Sequence, residues 1–500
     1  MYPIDFLRRA AALHPGRIAV RHGDAGLSYA DLLRRVDALA AAFQHLAGKE
    51  RLTVAVLAPN NLPLFAAILA VHAAGAILVP LNPRNASPEL NAQRALAQPD
   101  LLVVDHELAS RVEPGGARTV LAGVASHTRW PTLDDLAAEF AGRAPCWPAV
   151  QAGDDYAYKF TGGSSGRPKA VRQSFRSHMT MVANVLDGLR LGDAEVFHAV
   201  TPMTHAAGSF MLPILGRGGT YVIGQSTKAG PMLDELALGC ATMTWVTPTL
   251  LYSLVDEQER SPRALPHLRH LMFGGGPTAA DVLARGVRAF GPVLETSFGQ
   301  TEASTAVTIL PADELVRPGL ATSAGRACLL TSVAIIDADG RPLPPGEPGE
   351  IAVGGDLLMN GYLGMDDETR KVLRDGWLRT GDVGLLDANG YLYVRDRIRD
   401  VVISGGFNIY PSDVEAALLR HPAILEAVAF GLPDPYWGER LEAAVELRPG
   451  AQATDAEILS FAREQLGPVK TPKHLHVAAE LPRSPVGKVL RREAKVRFGG

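Results

Sequence analysis

Along the first ~400 residues, short apolar runs alternate with longer amphipathic stretches. The runs LTVAVL at 52–57, LLVVD at 101–105, AYKF at 157–160 and TYVIG at 220–224 predict strands, and SFRSHMTMVANVLDGL at 174–189 predicts a helix. Strands that alternate with helices imply α/β layers built on largely parallel sheets. One stretch imitates a membrane span, because no Asp, Glu, Lys or Arg occurs from Leu52 to Pro83. A span needs about 20 continuous apolar residues. This run is broken by Asn60, Asn61, Pro63, His72, Gly75 and Pro80, so it reads as strand, buried helix, strand.

The pattern changes near residue 325. SVAIIDADGRPLPPGEPGEIAVGG at 332–355 predicts strands punctuated by Pro-Gly turns, with a hairpin signal at Asp339-Gly340, and DANGYLYV at 387–394 repeats the style. A charged segment, RDRIRD at 395–400, precedes a unit of about 100 residues with helical SDVEAALLRH, strand-like AVAFGLP and EAAVEL, helical DAEILSFAREQLG and a basic tail. The fold expected is therefore α/β. A large N-terminal domain (1–396) of layered sheets carries a small β-barrel-like subdomain at about 325–396, followed by a small mobile α+β domain (397–500). RDRIRD is the expected hinge.

Composition narrows the class of protein. The 500 residues are 47% hydrophobic and 20% charged, with net charge −4, which asks for more than one domain and for neither nucleic acid nor an anionic membrane. Cys146, Cys240 and Cys328 are scattered and match no metal or disulfide spacing. The N-terminal segment has no apolar signal-peptide core. The expectation is a reduced, cytoplasmic protein without an integral membrane segment, either monomer or homodimer.

The strongest local chemistry is Thr161-Gly162-Gly163-Ser164-Ser165-Gly166-Arg167-Pro168-Lys169, directly after a strand. Glycines let backbone N–H groups converge on one concavity, which suits phosphate oxygens. The hydroxyls of Thr161, Ser164 and Ser165 add donors, and Lys169 adds charge. No G-K-[ST] closes the loop, so it is not a Walker A motif. Further along stand Pro202-Met203-Thr204-His205, Gly274-Gly275-Gly276-Pro277, Ser297-Phe298-Gly299-Gln300-Thr301-Glu302, Trp377-Leu378-Arg379-Thr380-Gly381-Asp382, Ser404-Gly405-Gly406-Phe407-Asn408-Ile409-Tyr410-Pro411 and Pro482-Arg483-Ser484-Pro485-Val486-Gly487-Lys488.

These segments, spread over most of the chain, resemble the acyl-adenylate-forming superfamily of acyl-CoA synthetases, peptide-synthetase adenylation domains and luciferases. The resemblance implies that the 161–169 loop holds pyrophosphate, that Gly274–Pro277 lies along adenine and that Phe298, beside Ser297 and Gly299, packs near it. It implies that Thr301 hydrogen-bonds the α-phosphate, that Glu302 holds Mg²⁺ with Thr161 as a second candidate ligand, and that His205 lines the acyl pocket near the carboxylate. Asp382 and Arg397 would reach the ribose, Arg399 would be the hinge, Ser404–Phe407 would face the pantetheine tunnel and Lys488 would be the catalytic lysine. The chain departs from the family pattern at Gly162, Ser164, Ser165 and Ala170 in the loop, at Phe298 where Tyr is usual, and at Arg399 where Lys or Asp is usual.

The implied activity is ATP-dependent ligation of a carboxylic acid to coenzyme A through an acyl-adenylate, with ATP, Mg²⁺ and coenzyme A required. No Asp or Glu occurs between 196 and 227 around His205. An α-amino acid would bury its ammonium unpaired there, so an aliphatic (fatty) or aryl acid is expected. Two alternatives stay open: loading of an acyl carrier protein, and a catalytically silent paralogue.

Overall fold

The computed structural model describes residues 2–49, 51–123, 130–146, 149–161, 168–276, 278–483 and 489–499. The charge-free stretch folds as strand Thr53–Leu57, helix Leu62–Ala73 and strand Ile77–Pro80. Asn61 caps that helix, its Oδ1 accepting from Leu64 N at 2.8 Å. The helix is buried almost all round from Leu64 to Ala73, because it lies between layers, not on a surface. Among the described residues no helix is long and apolar enough to cross a membrane.

Two large sheets follow from the strand–helix alternation. The seven-stranded one runs, by spatial order, 361–362, 169–174, 155–161, 77–80, 53–57, 101–105, 118–122. Its last five strands are parallel. The nine-stranded one runs 326–327, 308–310, 294–298, 270–274, 243–246, 196–199, 220–223, 18–22, 25–28, and is parallel from 294–298 to 18–22. One apolar core, including Phe65, Val71, Ala157, Val182, Met203 and Tyr221, packs the helices between these sheets. The helix Phe175–Gly188 is closed at its start by a reciprocal Ser174–Ser177 capping box.

The β-rich stretch forms an antiparallel sheet in the order 332–336, 349–354, 377–386, 373–374, with 392–397 also on 377–386. Two short pieces serve other sheets. Arg326–Ala327 edges the nine-stranded sheet, and Gly361–Tyr362 pairs with Val171 and Arg172 of the seven-stranded one. The Asp339-Gly340 signal is a turn in which Gly340 sits at φ 86° and Arg341 N and Asp337 N each find a partner across it. From Val402 onward the chain has its own cores around Val402, Val414, Phe430, Ala443 and Ala462. Its sheet is ordered 407–409, 402–404, 438–447, 424–434, with 474–478 parallel to 438–447.

Candidate active site

In parallel sheets ligand-binding loops gather beyond the carboxyl ends of the strands. Strand Asp155–Thr161 ends at Thr161, strand Val196–Ala199 leads to His205, strand His270–Gly274 ends at Gly274, and strand Leu294–Phe298 leads to Thr301 and Glu302. Two side chains tie the ends of the two sheets together. Gln173 Nε2 donates to the Thr301 carbonyl at 2.8 Å. Asn60 donates from Nδ2 to the Thr201 carbonyl at 2.8 Å and accepts from Met203 N at 2.9 Å.

The Thr301–Glu302 turn is tightly constrained. Met359 N donates to the Glu302 carbonyl at 2.9 Å, and the Tyr362 hydroxyl donates to Glu302 Oε1 at 3.0 Å. Burial, then the Glu302 carboxylate, pushes the Tyr362 phenol above its ordinary range, so it remains a donor. Beyond the turn, Ser304, Thr305 and Ala306 all take left-handed backbone, at φ 29°, 40° and 63°. Such strain persists only where the surroundings over-determine it. Gly299 permits it, since a Cβ there would stand 3.0 Å from both Ala306 N and Thr305 Cα. Phe298 is held by its carbonyl, which accepts from Val307 N at 2.9 Å. Ser297 is the register partner of Gly274, and Gly275 sits at φ 86° with open space where a Cβ would be.

Lys169 pairs with Thr161 across the strand turn, and its Nζ lies 4.9 Å over the Tyr362 ring. It also donates to Glu368 Oε2 at 3.0 Å. Hydrogen bonds from Lys371 and Lys169 hold the Glu368 carboxyl down at about 2, so Lys169 meets a carboxylate. Asp382 is buried and its Oδ1 lies 3.2 Å from Arg397 Nε. The two are register partners on adjacent strands.

His205 is exposed in the loop after strand Val196–Ala199, with Thr204 Oγ1 3.1 Å from its Nδ1. Burial, then the charges of Lys159 and Arg84, push its pKa down to about 4. A second cluster was absent from the sequence expectation. The Tyr156 hydroxyl is 2.6 Å from His72 Nε2 and 3.0 Å from His178 Nε2, with the rings stacked. Burial and Lys159 push His72 down to about 3, and burial, His72 and Lys159 lower His178 as well.

Arg399 is exposed, in a short turn at Ile398–Asp400. The charges beside it are tied down: Arg491 bridges Asp396 at 3.1 Å, Asp400 at 3.0 Å and Glu415 at 2.8 Å, and Asp396 Oδ2 accepts from Ser412 N at 2.7 Å. In the 404–407 turn Ser404 is buried, Gly405 and Gly406 take φ of 58° and 82°, Gly405 packs on Trp437, and Phe407 is exposed. Gly162, Gly163, Ser164, Ser165, Gly166, Pro277 and Lys488 lie outside the described residues.

The structure thus brings Thr161, Lys169, Thr301, Glu302 and, through Tyr362, the two sheets and the β-rich unit together, and sets Asp382 against Arg397. Sequence reading missed Gln173, Asn60, Tyr362 and Lys159. Only Lys159 left a signal, as the one charge in the run AYKF at 157–160.

Comparison with known proteins places this arrangement in a class. Residues 7–363 match the AMP-binding enzyme family and residues 413–488 match the AMP-binding enzyme C-terminal domain. The chain belongs to the AMP-binding enzyme family. It is similar to a feruloyl-CoA synthase of an Amycolatopsis species, 35% identical over 493 residues and covering 98% of each chain. It is also similar to a medium/long-chain-fatty-acid–CoA ligase of Mycobacterium tuberculosis, 30% identical over 97% of this chain and 88% of that one. Among solved structures, the o-succinylbenzoate CoA synthetase of Bacillus subtilis in complex with its acyl-adenylate intermediate superposes with a TM-score of 0.87 at 28% identity, covering 98% of this chain and 97% of that one.

Proposed function

We propose that the chain is an AMP-forming acid–thiol ligase: it joins a carboxylic acid to ATP as an acyl-adenylate, releases pyrophosphate, then passes the acyl group to coenzyme A and releases AMP. The observation that carries this reading is the Thr301–Glu302 turn, held at the meeting point of both sheets beside Thr161 and Lys169. Such a position lets one turn touch a nucleotide phosphate and an acid at once.

The donor set suits magnesium. Glu302 offers a carboxylate and Thr161 a hydroxyl, hard oxygen donors of the kind Mg²⁺ prefers. A bound Mg²⁺ would supply charge neutralisation on the phosphates. Tyr362 orients the Glu302 carboxylate. Lys169, exchanging Glu368 for phosphate, would hold the leaving pyrophosphate with the 162–167 loop. Asp382, with carboxylate oxygens as acceptors, would take both ribose hydroxyls while Arg397, 3.2 Å away, aligns it. Lys488 would place a compact positive charge on the attacked phosphate. In-line attack of a carboxylate oxygen on the α-phosphate then needs little from the protein beyond position and charge.

Thioester formation has no use for Lys488. The unit from about 397 is read as a lid that turns about Arg399 and brings 404–407 to the acyl centre. The small apolar segment after His205 and the relatives named above support an aryl or aliphatic acid as substrate. The unpaired thiols of Cys146, Cys240 and Cys328 are consistent with a cytoplasmic enzyme.

The test is pyrophosphate release from ATP and Mg²⁺ over a panel of aryl, aliphatic and amino acids, each with and without coenzyme A. Release that becomes multiple-turnover only with coenzyme A supports the ligase. Release that stays near one turnover in both cases would make a carrier protein the acceptor. No release with any acid would sink the reading.

A further inference from the structure

Unlike Lys169 and Arg397, Lys159 has no carboxylate partner among the described residues. It is half-buried, on the strand Asp155–Thr161, two residues before the Gly/Ser loop. No hydrogen bond or ion pair involves its ammonium among the described residues, and no carboxylate acts on it. By contrast Lys169 has Glu368 and Arg397 has Asp382.

Its direction follows from the pleat. Alternate residues share a face, so Ala157, Lys159 and Thr161 line one side of the strand. Ala157 packs in the same core as Met203 and Ala207, which flank His205. Opposite Ala157 stands Gln173, whose amide grips the Thr301 carbonyl. Lys159 therefore occupies the step between the His205 segment on one side and the Thr301 turn and Thr161 on the other. Its charge is felt at His205, His72 and His178.

The charged surroundings are one-sided. Arg84 also acts on His205, the three histidines are held neutral, and the nearest acidic group of the turn, Glu302, is turned toward Tyr362. No Asp or Glu occurs from 196 to 227. An unpaired ammonium in a half-buried place is costly, and here no described residue offsets it. An anionic ligand would. It would enter from the His205 side, where the acid is expected, about 6–7 Å along the strand from Thr161 and the phosphate loop.

We infer that Lys159 is a substrate-binding residue that receives the carboxylate to be activated and holds it beside the Thr301 turn. This rests on the adenylate-forming reading above. It also answers a physical difficulty of that reaction, since a carboxylate must approach a phosphate of the same sign and a cation between them lowers the repulsion. Because Lys159 belongs to the sheet and not to the C-terminal unit, the acid is held whichever position that unit adopts.

The experiment measures pyrophosphate release by wild type, Lys159→Met, Lys159→Gln and Lys159→Arg with the acid that serves wild type best. The KM for the acid rises at least tenfold in the Met and Gln variants, the KM for ATP stays within twofold, and Lys159→Arg recovers most of the loss. Methionine removes an uncompensated charge from an apolar strand, so the thermal midpoint of Lys159→Met stays at or above that of wild type. An unchanged acid KM overturns the inference. So does a parallel rise in both KM values, which would assign Lys159 to the phosphates, and so does a loss of folding in both neutral variants, which would make its role structural. Wild type that is silent with every acid would remove the ligase reading itself, whereas active wild type matched by Lys159→Met removes only this inference.

Discussion

The Tyr362 hydroxyl donates to Glu302 Oε1 at 3.0 Å, although the two residues are 60 positions apart and Tyr362 arrives on a two-residue strand added to the edge of the other sheet. That bond fixes which oxygen of Glu302 faces the site. A partner that orients a metal-binding carboxylate is typically worth 10–100-fold in metal affinity or activity. Tyr362→Phe keeps the ring under Lys169 and removes only the hydroxyl. The Mg²⁺ concentration giving half-maximal pyrophosphate release should therefore rise about tenfold, with the acid KM unchanged. An unaltered Mg²⁺ dependence would show that the hydrogen bond does not orient the carboxylate.

Gly299 should tolerate no side chain. A Cβ there meets backbone at 3.0 Å, at Ala306 N and Thr305 Cα, and neither atom can swing aside as a side-chain end would. Overpacking of this kind costs about 1–3 kcal/mol. Gly299→Ala is expected to lower stability by that amount in urea unfolding and to cut adenylation more than tenfold, because relaxation would shift the Thr301–Glu302 turn. Gly276→Ala is a control, since a Cβ there meets only Pro248 Cγ at 3.7 Å; its stability should be nearly that of wild type.

Arg399 is the expected pivot of the C-terminal unit. Proline fixes φ and restricts the residue before it. Arg399→Pro should leave adenylate formation within a fewfold of wild type while slowing thioester formation with coenzyme A by an order of magnitude or more. Single-turnover rates of the two half-reactions separate the effects, and equal loss in both would remove the pivot.

The stacked His72–Tyr156–His178 cluster makes the fold sensitive to acid. His72 is pushed down to about 3 and His178 also lies below its ordinary value, both by burial first. The unfolded chain binds protons at these histidines from about pH 6.5 downward while the folded chain does not. Stability contributed by the neutral rings is complete above about pH 6.5 and is lost as pH falls toward 4, by up to about 1.4 kcal/mol per pH unit for each histidine. Thermal midpoints between pH 7 and 4.5 should fall less steeply in His178→Gln than in wild type. Identical slopes would contradict the assignment.

Much of the architecture was legible in the order of residues. The strand–helix–strand fold of Leu52–Pro83 followed from Asn and Pro breaking an apolar run, and the Phe175–Gly188 helix began at the serine that caps it. The segments at 161–169, 274–277 and 297–302 were visible because each sets glycine within a few consecutive residues, joined by hydroxyls and charge in the first and third. Tyr362, Gln173 and Asn60 were not visible, since each is an ordinary residue whose role depends on a partner 60, 128 or 141 positions away.

The sequence alone therefore determined the elements, their alternation and the candidate phosphate-binding segments, because periodicity and backbone freedom are properties of neighbouring residues. Tertiary structure decided what those segments face. It set Glu302 against Tyr362, occupied Lys169 with Glu368, tied Asp396 and Asp400 to Arg491, and left Lys159 with no counter-charge among the described residues. Charge pairing and burial act through space, and the chain order carries no record of which distant side chains will meet.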